Sequence, residues 1–559
     1  MELLYLRLPK EGKNLEEKTA RSVASGALLL VLSNFIVKIV GVVYKIPLAN
    51  ILGDAALGYF STAFEIYTLL LTIFISGGSV AVSKMISESA ALGRWAEARK
   101  TFRILCVMFT VVGLLGTCVM YFGANVFSVR LDNPPAALSI MALSPAIFFL
   151  SLSCLLRGFF QGLHDMRPSA LSEVIEALFK LLIGIGFTLL LRDMGKGDDI
   201  ISAGAISGTS LSVVIGASVM LAAYFLSDKR REIKKRALED GVAPRTSLRI
   251  LGRFWRLAIP IALSSVVVNL TGVLDLFLIF DRLINSGLTD AAANKAYGAY
   301  KGYAQSLFNL APSIISSINV SILPALSGYF VTGKLRSAKR TVERSLKVVN
   351  ILAVPASIGL FALAEPICRL LYPARLDEIG MVIPILKILA VASYFTSIST
   401  VMTGLIQSTG KTQLPLISMA VGGAVKLGVN YILVGIPAIR INGAPVGTLM
   451  CYIVMVAVNS VFLFRSIGRV GKKKLRVFRW FVKPFVAGIA MGFAAFWSQK
   501  GLDLILPERV ATVFAILIAV VVYSLALLLV RGVRKKDLDM LPGGTRLSGL
   551  LIKLKLMKA

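Results

Sequence analysis

Four lysines stand inside stretches otherwise apolar enough to cross a bilayer, and their type suits electrostatic capture of an anion rather than bond-making chemistry. Lys38 and Lys45 lie in the first apolar run, Ala24 to Leu52, at a spacing that puts them on nearly one helix face with Gly41 between them. Lys180 and Lys426 sit about twelve and thirteen residues into later runs, hence near mid-bilayer. A charge at that depth costs at least ~2.5–3.5 kcal/mol, so each needs a protein partner or a role in transport. Lysine acts as a point charge for phosphate or diphosphate, whereas a cation exporter would place Asp or Glu there.

The acids nearby sharpen that reading. Glu65 matches Lys45 in depth and reads either as its structural ion-pair partner or as a group that tunes it. Glu176 precedes Lys180 by one helical turn, with Glu173 a turn further back, so this set reads equally as a neutralised helix face or as cavity lining. Lys426 has no acid within two turns and is the better cavity candidate. Asp275 is a candidate partner for Lys38 or a ligand for a coupling ion. Lys84, Arg157 and Lys387 lie near span ends and are expected to snorkel. The expected central site is therefore Lys38, Lys45, Glu65, Lys180 and Lys426, with Asp275 and Glu176 as coupling or pairing groups.

Other chemistry finds no support in the residues. The five cysteines fall in apolar runs without a CxxC pair and read as apolar filler, and His164 is the single histidine. Neither a nucleophile–base pair nor a metal-ligand cluster is evident, so a non-enzyme with no cofactor is expected. The string from Gly404 to Thr412 resembles a phosphate-binding loop, but it has one residue too many between its glycines and follows a membrane span rather than a strand. It reads as a short turn before Pro415. The tail from Leu550 to Lys558 mixes lysines with apolar residues, as an interfacial segment does on anionic lipid.

The elements that must position these residues are membrane spans. Of 559 residues 56% are hydrophobic and 16% charged, and the mean hydropathy is +0.78. That balance excludes an ordinary soluble domain and predicts an all-α polytopic membrane protein. Fourteen spans are predicted, at 24–52, 56–83, 102–123, 137–163, 168–191, 201–226, 257–281, 299–331, 346–371, 380–407, 413–437, 441–464, 481–499 and 509–530. The net charge of +31 does not mean nucleic acid, because Lys and Arg are spread over the connections. With the N-terminus inside, cytoplasmic segments hold about 44 of them and outer loops about nine. Both termini are thus expected in the cytoplasm of a plasma-membrane protein, with the first span serving as a retained export signal.

The chain also repeats itself. A shift of 240 residues places Gly93, Ala98, Arg99, Lys100 and Thr101 on Gly333, Ala338, Lys339, Arg340 and Thr341, and Gly58 on Gly298; a shift of 246 places Gly158, Gln161 and Lys180 on Gly404, Gln407 and Lys426. Spans 1–6 and 7–12 read as two six-helix copies of one orientation, with the substrate site between them. The expected organisation is a cytoplasmic segment 1–23, an N-lobe 24–226, a basic linker 227–256, a C-lobe 257–465, a basic loop and two extra spans 466–530, and a basic tail 531–559. Gly41 and Pro47 are expected to let the first helix bend.

The residues Lys38-Ile-Val-Gly41-Val-Val-Tyr-Lys45-Ile-Pro47, then Gly53-Asp-Ala-Ala-Leu-Gly58-Tyr59 and Gly78-Ser-Val-Ala-Val-Ser-Lys84, resemble the opening of Gram-positive SpoVB/YtgP-type polysaccharide-biosynthesis proteins. Those are similar to MurJ-type lipid II flippases of the multidrug/oligosaccharidyl-lipid/polysaccharide (MOP, MATE-like) exporter superfamily. The resemblance covers the whole chain and includes the span count and the 6+6 repeat. It implies two lobes around a cationic cavity that opens alternately to either side, and a groove along the last two helices for a polyprenyl tail. In this resemblance Lys38 stands where MurJ-type proteins carry an essential arginine, and Lys45 falls within about one position of a second. Their cavity arginines of helices 2 and 8 correspond to Leu71 and Ser306 here.

The expected function is therefore a flippase for an undecaprenyl-diphosphate-linked glycolipid, lipid II first, carried from inner to outer leaflet. The expected form is a monomer among membrane lipids, with envelope-synthesis enzymes as further partners and no nucleic acid. Alternatives are a flippase for another lipid-linked polysaccharide, a cation-coupled multidrug antiporter using Glu65 or Asp275, and a non-transporting scaffold for envelope synthesis.

Overall fold

Long apolar runs punctuated by Gly, Pro and short charged connections leave the backbone one way to satisfy its polar groups in lipid, which is to close them within helices. In the computed structural model the described residues, 10–316 and 333–530 apart from 76, 164, 241–242, 410, 412 and 466–476, together with 326, 329 and 330, contain helices and no strand. Eleven of the helices are long and apolar enough to cross a membrane. The first of these, Ile36–Ala91, takes in residues 36–52 of the predicted span 24–52 and all of 56–83. The predicted span 257–281 lies within a further helix, Ser247–Asn285. Part of the predicted span 299–331, His164, the loop 466–476 and the interfacial tail 550–558 lie outside the described residues. The protein is an all-α polytopic membrane protein.

The elements run α1 Lys10–Ile75, α2 Gly78–Ala91, α3 Trp95–Arg130, α4 Ala136–Leu143, α5 Pro145–Gly162, α6 Arg167–Asp193, α7 Asp198–Leu226, α8 Asp228–Glu239, α9 Ser247–Asn285 and α10 Asp290–Gly298. A π-helical turn, Ala299–Ala304, follows, then α11 Gln305–Phe308, α12 Leu335–Ala362, α13 Ala364–Leu371, α14 Leu376–Gln407, α15 Leu414–Val434, α16 Gly443–Leu463, α17 Val477–Leu502 and α18 Glu508–Leu529. Proline opens α5, α6 and α15 at positions where a missing N–H costs nothing. α3, with 36 residues, rises roughly 54 Å and overshoots the hydrocarbon core. Its Glu97 in the first turn and Arg130 in the last complement the helix dipole.

α1 is two helices that meet at Gly53, whose φ of 78° and ψ of 174° suit only a residue without Cβ. Gly41 and Pro47, where a bend is expected, lie within α1, and the non-helical torsions fall at Gly53, six residues after Pro47, a conformation that glycine alone reaches cheaply.

The chain falls into two compact units. Unit 1 comprises 1–44, 63–128 and 134–269, and unit 2 comprises 45–62, 129–133 and 270–559. Within unit 1, Phe102, Phe109, Phe159, Tyr224 and Phe254 interlock edge to face or stacked around Leu105, Ile86 and Met220. The basic connection joins this core: Ser227 caps α8, and Ile233 on α8 is buried against it. Within unit 2, Tyr394 packs on Phe485, and Tyr523 donates to the Ile351 carbonyl at 2.8 Å, which fastens α18 to α12. Large apolar side chains such as Phe122 on α3 and Trp497 on α17 remain exposed, as lipid-facing residues do.

Candidate functional site

In unit 1 the central group is Lys180 on α6. Its Nζ lies 5.3 Å from the centroid of the Tyr44 ring and 5.2 Å from that of Phe64, so two aromatic faces replace part of its hydration. Gly184, one turn further along α6, makes the seat: a Cβ there would come within 2.8 Å of the Tyr44 ring. Tyr44 is fixed at its far end by a hydrogen bond to the Ala205 carbonyl on α7, at 3.4 Å.

The acids behind Lys180 have a further partner besides the expected one. Arg157 on α5 lies 3.2 Å from Glu176 and 3.4 Å from Glu173. Arg157 therefore does not snorkel, and the hydrogen-bonded partner of Glu176 is this guanidinium, whose planar fork can serve two carboxylates at once. Sequence spacing within α6 pointed to Lys180; the competing base arrives from another helix.

In unit 2 the largest departure concerns Lys426. Its Nζ lies 2.6 Å from Asp275 Oδ2, the Asp275 side chain is fully buried, and Asn430 Nδ2 donates to the other carboxylate oxygen. Lys426 is thus not an unmatched cavity cation, and Asp275 is the partner of Lys426 rather than of Lys38. A search within two turns of α15 could not find an acid supplied by α9. The repeat offered a signal, because Asn430 is the position that the 246-residue shift aligns with Gly184. Lys180, which the same shift places on Lys426, has two aromatic rings beside it, whereas Lys426 has Asp275.

Three further sets in unit 2 had no forerunner in the sequence reading. The first half of α1 ends at Leu52, leaving carbonyls without partners, and unit 2 supplies them. Tyr303 donates to Ala49 O at 3.1 Å, and Arg375 donates to Asn50 O at 3.3 Å and Ile51 O at 3.1 Å. The one Tyr303 proton is shared between Ala49 O and Glu378, whose carboxylate lies 2.9 Å from the hydroxyl and 3.5 Å from Arg375. Lys295 pairs with Asp54 at 3.4 Å. Gly298 precedes the π-helical turn and Gly302 lies within it, and a Cβ on them would strike Asp54 O and Leu57 respectively. That small-xxx-small spacing was the available signal. Gly58 and Gly298, matched by the 240-residue shift, lie against each other, a Cβ on Gly298 falling 3.0 Å from Gly58 N.

Lys38 is exposed in unit 1 and Lys45 exposed in unit 2, with the division between them after Tyr44. Glu65 belongs to unit 1. Ser306, standing in for an arginine of the resembled proteins, donates to Gly302 O at 2.5 Å. Among the described residues no group of three His, Cys, Asp or Glu side chains could hold a metal ion.

Comparison with known proteins follows this geometry. A family model described as Polysaccharide biosynthesis protein matches residues 23–330, more than half of the chain, and one described as MatE matches residues 260–432. The chain is 22% identical over 522 residues to Stage V sporulation protein B of Bacillus subtilis (strain 168), covering 92% of this chain and 97% of that protein. It is 24% identical over 455 residues to Lipid II flippase MurJ of the same organism, covering 79% and 82% respectively. Among solved structures, Lipid II flippase MurJ in an inward closed conformation aligns with a TM-score of 0.65 at 16% identity, over 89% of this chain and 98% of that one. An inward-facing multidrug resistance MATE family transporter of the MOP superfamily aligns with a TM-score of 0.61 at 17% identity, over 78% and 98%. These likenesses are of fold.

Proposed function

The chain belongs to the polysaccharide biosynthesis protein family, and from that premise we propose that it is a flippase, carrying a polyprenyl-diphosphate-linked glycan, lipid II in the first place, from the inner to the outer leaflet. The observation that carries this over a cation-coupled antiporter is the state of Asp275: both carboxylate oxygens are engaged, by Lys426 and Asn430, in a fully buried site. An antiporter needs an acid open to its coupling ion, and Asp275 is already neutralised. The sign of the charge on the first span agrees, since 24–52 carries Lys38 and Lys45 and no acid.

In this reading the lobes 24–226 and 257–465 alternate in access, Lys38, Lys45 and Lys180 draw in the diphosphate, and Glu65 tunes Lys45. The pair Lys426–Asp275 holds α15 to α9. The segment 466–530 accommodates the lipid tail, both termini lie in the cytoplasm, and the reaction is movement without bond cleavage. The family description also supports a second substrate, another lipid-linked polysaccharide.

The deciding experiment measures outer-leaflet exposure of lipid II in cells depleted of their own flippase and expressing this protein or its Lys38→Gln variant. Restoration by the wild type and loss with the variant, both at normal membrane levels, is expected. Restoration by neither would remove lipid II and turn attention to other polyprenyl-linked glycans, whereas equal restoration by both would remove Lys38 from the site.

A further inference from the structure

Unit 2 carries a groove of about 430 Å³ between α9 and α15, with apolar walls that include Leu274, Leu278 and Leu427 and a rim formed by Arg130, Asp132 and Asp281. We propose that this groove binds a phospholipid whose headgroup combines a phosphate with a primary amine. From Leu274 to Asp281 the groove rises roughly 10 Å along α9, from the depth of the buried Asp275 to a polar rim, which is the span of part of one leaflet. Tyr431 lines the upper wall with the guanidinium of Arg282 3.4 Å from its ring centroid, the kind of aromatic and cation found at a membrane interface.

The rim selects the headgroup by sign. Arg130 ends α3 and Asp132 follows it; both are exposed, and neither engages in an ion pair among the described residues. Asp281 is also exposed and reaches Arg282 at 3.5 Å. A phosphate suits Arg130, but a headgroup with negative charge alone meets two carboxylates beside it. An ammonium a few bonds from the phosphate satisfies both signs, and one that keeps its N–H groups can donate to Asp132 or Asp281 where a quaternary one cannot. The same carboxylates disfavour a diphosphate, so the groove is distinct in its chemistry from the cationic site.

Asp132 adds an independent mark. Its φ of 48° is a left-handed conformation that disfavours a residue with a Cβ. The neighbouring Asn133 anchors it, donating to Asn294 Oδ1 at 2.7 Å. The strained turn holds the Asp132 carboxylate at the mouth of the groove. Leu274 and Leu427 adjoin Asp275 and Lys426, so an acyl chain in the groove lies on the two helices that the buried pair ties together and braces that pairing.

The test uses the purified, delipidated full-length protein titrated with phosphatidylethanolamine, phosphatidylcholine and phosphatidylglycerol, bound lipid being counted by native mass spectrometry. Phosphatidylethanolamine should bind at least about fivefold more tightly than either of the others. Asp132→Asn with Asp281→Asn should erase that preference, Arg130→Gln should weaken all three lipids, and Leu427→Trp should block the groove. Arg130, Asp132 and Asp281 are exposed and Leu427 is half-buried, and a unimodal gel-filtration peak checks folding for each variant. Equal affinity for the three lipids, tighter binding of phosphatidylglycerol, or an undiminished preference in the double Asn variant would overturn the proposal, and none of these results depends on which glycan is transported.

Discussion

Asp275 shows how a single side chain decides between readings. A fully buried carboxylate is tolerable because Lys426 and Asn430 occupy its two oxygens, and removing one partner strands the other in a low-dielectric site. Asp275→Asn should therefore lower stability by about 3–5 kcal/mol, and Asp275→Asn combined with Lys426→Met should recover most of it; thermal unfolding in detergent would check both. Equal loss in single and double variants would refute the pairing as the source of the effect. Lys426→Gln should likewise reduce the folded fraction, so its transport must be read per folded molecule. Lys180 has Tyr44 and Phe64 beside it, whose ring faces stabilise its charge. The ionisable residues within apolar runs were legible in the sequence, but their partners were not, since Asp275, Arg157 and Tyr44 each come from another helix.

At the scale of the element, the end of the first helix is the most informative feature. Three successive carbonyls, Ala49 to Ile51, accept from Tyr303 and Arg375, and the Arg375 guanidinium also covers Gly53, 2.9 Å from where a Cβ would stand. A cation at a helix C-terminus satisfies both the hydrogen-bond deficit and the dipole. Arg375→Ala should cost about 2–4 kcal/mol through two charge-assisted hydrogen bonds, and it should raise amide hydrogen exchange across residues 49–55. Unchanged protection there would show that the cap is not what holds the corner. Gly53→Ala should cost of order 1–3 kcal/mol for its torsions alone, with further loss from contact with Arg375. A break between the apolar runs 24–52 and 56–83 was readable in the sequence, but a residue more than three hundred positions away that caps the helix end there was not.

At the scale of the whole molecule, the asymmetry of Lys and Arg makes an orientation prediction. With single cysteines in a cysteine-free background, Lys235→Cys should react with an impermeant reagent only from the cytoplasmic side and Asp132→Cys only from the outside. The opposite pattern would invert the direction of transport proposed above. What the sequence determined by itself was the class of the molecule, an all-α polytopic membrane protein, and the family resemblance, because hydropathy and helix length are sums over local stretches that no folding partner can change. What only the tertiary structure decided was the pairing of charges and the assignment of 45–62 to unit 2 rather than unit 1. Those outcomes depend on which helices meet, and a lysine in an apolar span has the same local sequence whether it faces an aspartate, two aromatic rings or a substrate.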